Sequence, residues 1–106
     1  MKEKREYYLL SLKHTQKFDL CLTFWRPKNC GYTYIKEGAG VYSKLKKGYH
    51  DLPGDTFPIE KSILEKLFIQ SRNYTHQNEP GHVIPNSKMV WEELGLKMTN
   101  KGLRVK

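Results

Sequence analysis

The sequence has few cysteines and no residues spaced for a metal site. Cys21 and Cys30 are the only two among 106 residues, and they form no Cys-x-x-Cys pair. In a chain without a secretion signal, two such cysteines are more typical of free thiols than of a disulfide. The histidines are scattered, at His14, His50, His76 and His82. We therefore expect neither a metal ion nor another cofactor.

Long apolar runs are also absent. No stretch approaches the roughly 20 apolar residues that a membrane-spanning helix requires. The charged start, Met1 to Glu6, is not followed by the apolar core of a signal peptide. We expect a cytoplasmic protein that does not contact a membrane, and the length predicts a single domain over residues 1–106.

Signatures of catalysis are missing. The chain contains no Gly-x-Ser-x-Gly, no His-Glu-x-x-His and no phosphate-binding glycine loop. Residue types that could cleave RNA by acid–base chemistry do occur, namely His14 beside Thr15, His50 beside Asp51, and Cys30. Because nothing in their spacing selects them, we predict a protein that is not an enzyme, with a small nuclease as an alternative.

Acidic residues are scarce, and the positive charge is unevenly spread. Nineteen lysines and arginines against eleven acids give a net charge of +8. Residues 48–95 are net acidic, whereas residues 96–106 contain four cations and no acid. This distribution favours a polyanionic partner, either nucleic acid or the acidic face of a nucleoprotein.

Alternating apolar residues predict strands in the first third of the chain. We expect an antiparallel meander of three strands, over residues 6–13, 18–26 and 32–35. Residues 42–47 could add one or two helical turns.

Two helices are predicted after the meander. Apolar spacing indicates a helix from Ile59 to about Gln70, followed by a long polar loop over residues 71–85. Asn86 is placed to cap a second helix over residues 87–94, which Gly95 would end.

A β-hairpin is predicted at the end of the sequence, with strands at 96–99 and 103–106. Alternation directs one set of side chains inward, namely Leu96, Met98, Leu103 and Val105. The predicted fold class is α+β: an antiparallel sheet of meander and hairpin, covered on one face by two helices.

The outward face of this hairpin is the first candidate binding surface. Its cations are Lys97, Lys101, Arg104 and Lys106. Cations held at fixed spacing can follow the phosphates of a nucleic acid. Lysines on an exposed strand also prevent pairing with other chains, and this alternative stays open.

Two further segments are candidate partner- or nucleic-acid-binding sites. In the first, aromatic rings that could stack on unpaired bases alternate with cations, at Arg26, Lys28, Tyr32 and Tyr34. Alternatively, Trp25 and Tyr34 pack together across strands. The second has no acids and carries Lys44, Lys46 and Lys47. It would extend the basic surface or form only a solvated charged face.

Several short blocks resemble a group of small uncharacterised proteins encoded by phages and prophages. The blocks are Trp25-x-Pro27, Gly31-Tyr32-Thr33, Ala39-Gly40-x-Tyr42-Ser43, Val83-Ile84-Pro85-Asn86 and Leu94-Gly95-Leu96. The opening from Tyr8 to Thr15 is similar as well. The resemblance implies a phage context, in which small single-domain proteins often inhibit host systems; anti-CRISPR proteins are one such class.

Many anti-CRISPR proteins are acidic mimics of nucleic acid, and this basic chain departs from that pattern. An inhibitor of this composition would instead bind guide RNA, a target strand or an acidic protein surface. We predict a counter-defence protein that binds and inhibits a host nucleoprotein, such as a CRISPR effector or its guide RNA, in the bacterial cytoplasm. The alternative is a phage regulatory protein that binds RNA or DNA directly.

Overall fold

The computed structural model describes residues 5–106, which form a mixed α+β fold with antiparallel sheets. The strands are β1 (Tyr7–Ser11), β2 (Phe24–Trp25), β3 (Tyr32–Thr33), β4 (Thr56–Glu60), β5 (Ile69–His76), β6 (Glu79–Val83), β7 (Leu96–Thr99) and β8 (Gly102–Val105). The helices are α1 (Lys61–Leu64) and α2 (Lys88–Leu94). The predicted fold class is confirmed, although the hairpin β7–β8 forms a sheet of its own.

The central sheet has the strand order β3-β2-β1-β4. The predicted meander is confirmed in β1–β3, but its second strand is much shorter than residues 18–26. Leu22 donates its N–H to the Ile84 carbonyl, and Cys21 pairs with Pro85 rather than with β1. Phe18 and Leu20 are therefore left outside the core, 89% and 68% exposed.

The long helix predicted from Ile59 is wrong. Ile59 lies in β4, which pairs with β1 over five residues, and α1 ends at Leu64. Because β1 supplies a complete row of backbone partners, residues 56–60 form a strand despite their helical spacing of apolar side chains. Ile63, which the predicted helix would bury, is 42% exposed.

The loop predicted over residues 71–85 is also wrong, since β5 and β6 form a hairpin there. Its turn is Gln77-Asn78, with φ of 50° and 67°. Two consecutive residues of positive φ are typical of a tight hairpin turn. The sequence gives little signal for it, because glycine is missing from this turn.

The second helix and the terminal hairpin are confirmed. Gly95 ends α2 in the left-handed conformation, with φ of 72°. The predicted Asn86 cap is wrong. Ser87 occupies the N-cap position without a side-chain capping hydrogen bond, and the side-chain amide of Asn86 instead donates to the carbonyls of Gln16 and Asp19. In the hairpin, Leu96 and Leu103 are buried as predicted, whereas Val105 is 49% exposed.

One hydrophobic core joins the central sheet, both helices and the hairpin. It is formed by buried side chains that include Tyr8, Leu10, Leu22, Phe24, Ile59, Leu64, Ile84, Val90, Leu96 and Leu103. Neither helix of the described chain has the length and apolar character needed to cross a membrane. The central sheet and its connections position the candidate site.

Candidate functional site

A connected group of rings surrounds Trp25 in β2. Its indole lies edge-on to Tyr32, Tyr49 and His50, with ring centroids 6.1, 5.3 and 5.5 Å away. We call the whole group the aromatic cluster, consisting of His14, Trp25, Tyr32, Tyr42, Tyr49 and His50. The outer members join through His14–Tyr32 (4.1 Å) and Tyr42–His50 (5.3 Å) contacts.

The cluster has buried inner rings and exposed outer rings. Trp25 and His50 are only 7% and 6% exposed, whereas Tyr32 and Tyr49 are 44% and 45% exposed. Exposed aromatic rings backed by packed ones offer flat surfaces for stacking at little cost in conformational entropy. Tyr32 and Tyr49 are therefore the two members best placed to contact a ligand.

His50 connects the two segments that carry the cluster. Its Nδ1 accepts a hydrogen bond from the Lys46 N–H (2.9 Å), which leaves Nε2 to donate to Oδ1 of Asn29 (2.9 Å). Burial, assisted by the charge of Lys46, lowers the pKa of His50. Both ring nitrogens of this buried imidazole are thus occupied by hydrogen bonds within the fold.

Tyr42 makes a second connection between the same segments. Its hydroxyl donates to the Arg26 carbonyl and accepts the N–H of Asn29. Parts of two predicted sites that are separate in sequence, Arg26–Asn29 and residues 44–47, thus lie side by side and form one surface. Residues 42–47 contain no helix; they form a loop that ends in a turn closed by a Tyr49 N–H bond to the Lys46 carbonyl.

The cations of this surface have no carboxylate partners within residues 5–106. The ion pairs in that range are Arg5–Glu60, Lys36–Glu65, Lys61–Glu65 and His82–Glu37. None includes the exposed predicted cations Arg26, Lys28, Lys44, Lys46 and Lys47. The Lys46 ammonium lies 5.8 Å from the Tyr49 ring centroid, so charge and aromatic surface are adjacent.

A cavity of about 350 Å³ adjoins the cluster. It is lined by His14, Thr23, Tyr32, Thr33 and Tyr34. Its volume is within the range of small-ligand sites, roughly 300–1,000 Å³. Its lining combines aromatic rings with two threonine side chains.

Trp25 and Tyr34 both pack against other aromatic rings, but not against each other as the packing alternative predicted. Trp25 is paired across strands with Tyr32, not with Tyr34. Tyr34 instead packs against Tyr74 of β5, with ring centroids 5.3 Å apart. Tyr34 lines the cavity and does not join the cluster.

Two of the four cations predicted on the hairpin, Lys97 and Arg104, lie opposite each other across β7 and β8. Arg104 covers the turn at Gly54, where a β-carbon would lie 3.3 Å from its Nε. Lys101 is exposed in the hairpin turn. Lys97 and Lys106 border another cavity, beside Trp91.

The other catalytic candidates serve a turn. His14 Nδ1 lies 2.8 Å from the Ser11 hydroxyl, which is fully buried. The Thr15 hydroxyl is also buried; it donates to the Ser11 carbonyl and accepts the Thr23 N–H. Both hydroxyl groups are therefore out of reach of a substrate. Cys21 and Cys30 are free thiols, and only Cys30 is exposed.

Comparison with protein-family models, curated proteins and solved structures finds no match to this chain. Function has to be inferred from the site itself. The aromatic cluster, its unpaired cations and the adjoining cavity are the features from which to infer it.

Five members of the cluster were not among the predicted binding residues, namely His14, Trp25, Tyr42, Tyr49 and His50. Tyr49 and His50 follow Lys46-Lys47 closely, so the interleaving of cations and rings that singled out residues 25–34 recurs there. That repetition is a usable signal. Nothing in the sequence around His14 indicates its stacking on Tyr32.

Proposed function

We propose that this protein is a non-catalytic binder of unpaired RNA that acts on a host nucleoprotein. A CRISPR effector, contacted through its guide RNA, is the partner we favour. The observation that carries the proposal is that the exposed rings of Tyr32 and Tyr49 both pack on Trp25, with the Lys46 ammonium beside the Tyr49 ring. Aromatic stacking combined with backbone-tracking cations is how proteins hold single strands.

The phage context comes from the sequence blocks that resemble small phage and prophage proteins. Inhibition of a host nucleoprotein is consistent with a small basic domain that exposes aromatic rings next to cations. The proposal assigns no reaction, because both ring nitrogens of His50 are bonded within the fold and the residues Ser11 and Thr15 are buried.

The first test measures the affinity for a fluorescent single-stranded RNA at several salt concentrations. Each phosphate neutralised on a single strand contributes about −0.7 to the slope of log K against log salt, so five cations give about −3.5. Affinity should fall about tenfold for each doubling of salt. Lys46→Glu should make the slope shallower, whereas Lys66→Glu, an exposed lysine outside the surface, should leave it unchanged.

Stacking is tested by Tyr32→Ala and Tyr49→Ala. Loss of one stacked base costs about 1–3 kcal/mol, which corresponds to about a 5- to 150-fold weaker complex. Phe18→Ala is the matched control, because Phe18 is 89% exposed next to Lys17 but lies outside the cluster. Unchanged affinity in both tyrosine variants would refute RNA stacking on this surface.

The nucleoprotein part of the proposal is tested with a purified guide-loaded effector. The protein should bind the loaded complex and slow its cleavage of target, and Tyr32→Ala should relieve the inhibition. Equal affinity for the free guide and for the loaded effector would instead favour a phage regulatory protein that binds RNA directly.

A further inference from the structure

A second cavity, of about 210 Å³, lies between α2 and the strand β7. Its apolar wall is formed by Trp91, Leu96 and Met98. Lysines border it on both sides, with Lys88 from α2 and Lys97 from β7. Lys106 is the third lysine at this cavity. We call the cavity the lysine-rimmed cavity.

The charge of this cavity selects an anionic occupant. The residues that line it include three lysines and one acid, Glu92. Within residues 5–106, neither Glu92 nor any of the three lysines takes part in an ion pair. The ammonium groups are therefore available to acids that a partner brings.

The wall of the cavity selects an apolar occupant. The indole N–H of Trp91 already donates to Oδ1 of Asn86, at 2.8 Å. Leu96 and Met98 offer no side-chain donor, so the wall has little with which to recognise the polar edge of a base. The volume is below the roughly 300 Å³ at which small-ligand sites begin and suits one apolar side chain.

We propose that the lysine-rimmed cavity binds an apolar side chain of a partner protein that is flanked by acidic residues. The inference deepens the proposed function: the aromatic cluster binds the RNA of the nucleoprotein, and this cavity binds its protein. An anchor in an apolar pocket surrounded by complementary charge is a common arrangement at protein interfaces. It also gives Lys97 and Lys106 a role separate from the RNA surface.

The test uses a blocked synthetic peptide in which one leucine lies between two aspartates on each side. Binding is followed by NMR, through the indole N–H resonance of Trp91. The peptide should shift that resonance, and peptides with serine for leucine or asparagine for the aspartates should not. Lys97→Glu with Lys106→Glu should weaken binding about tenfold, while Lys66→Glu should not change it.

Several outcomes would overturn the proposal. These are no shift of the Trp91 resonance, equal binding of the asparagine peptide, equal binding of octanoate, and displacement of the peptide by single-stranded RNA. Peptide-free self-association that is lost in Lys97→Glu would assign the cavity to a second copy. Tyr32→Ala should retain peptide binding, so failure of the RNA proposal and failure of this one give different results.

Discussion

Replacing Gly40 by alanine would test the packing that positions Trp25 and Arg26. Gly40 donates its N–H to the Trp25 carbonyl at 2.9 Å. A β-carbon on Gly40 would lie 2.8 Å from both Cα and N of Pro27 and 2.9 Å from the carbonyl carbon of Arg26. Its φ is not in the left-handed region, so glycine is needed here for close approach and not for backbone conformation.

The expected loss of stability follows from these distances. Non-bonded carbon atoms pack at about 3.5–4.0 Å, so the backbone at Pro27 would have to move by roughly 1 Å. Overpacking costs about 1–3 kcal/mol, and weakening the bond to the Trp25 carbonyl adds about 0.5–1.5 kcal/mol. We expect a total of about 2–4 kcal/mol, or a fall in Tm of roughly 8–30 °C for a domain of this size.

Urea denaturation followed by circular dichroism measures this loss directly. Gly38→Ala is the matched control, because the nearest atom to its new β-carbon, 3.0 Å away, belongs to the rotatable side chain of Thr33. The control should lose much less stability than Gly40→Ala. If the two variants unfold at the same urea concentration as the unmodified protein, the segment 38–42 does not pack on Pro27 as described.

Two further perturbations concern acid sensitivity and the core. Burial alone would raise the pKa of Glu37, but hydrogen bonds from the ring and backbone N–H of His82 outweigh it and hold the pKa below 4.5. The carboxylate thus stabilises the fold above about pH 4.5, and this contribution is lost as the pH falls through the lower pKa of the folded state. Glu37→Gln should therefore lower the urea midpoint at neutral pH but not in stronger acid. An equal change at the two pH values would contradict this. Leu22→Ala should cost about 2–5 kcal/mol, whereas Leu20→Ala should stay within about 0.5 kcal/mol; equal losses in thermal unfolding would contradict the burial of Leu22 alone.

Local chemistry accounts for the parts of the fold that the sequence predicted. Gly95 ends α2 because a left-handed residue is needed there, and the pattern before it is helical. The terminal hairpin follows from strict alternation on both sides of a short polar turn, with Lys97 opposite Arg104. Both features depend on neighbours within a few residues, which the sequence displays directly.

The incorrect predictions depend on distant partners. Ile59 has helical spacing with Ile63, yet it pairs with Tyr8, about fifty residues earlier. Leu22 leaves the expected strand because its N–H bonds to Ile84. In each case backbone pairing over a long range overrides the local pattern, which periodicity alone does not reveal.

The candidate site likewise combines features that neighbouring residues predict with contacts that depend on distant residues. The interleaved rings and cations of residues 26–34 are visible in the sequence, but their contact with residues 42–50 depends on hydrogen bonds over a long range, several of them made by Asn29. Its N–H donates to Tyr42 and its side-chain oxygen accepts from His50. Asn29, with φ of 58°, and the Arg26 carbonyl together join segments that are about 13 to 21 residues apart.

The distribution of ion pairs is what most supports an anionic partner. Glu65 pairs with Lys36 next to α1, and the Glu37 carboxylate is hydrogen-bonded to His82 of β6. The cations beside the aromatic cluster have no such role within residues 5–106, and Lys46 and Lys47 are adjacent like charges. Like charges closer than the Debye length, about 8 Å at physiological salt, repel and give the fold no stability. A polyanion bound at this surface would turn that repulsion into attraction, which accounts for the charge where folding alone does not.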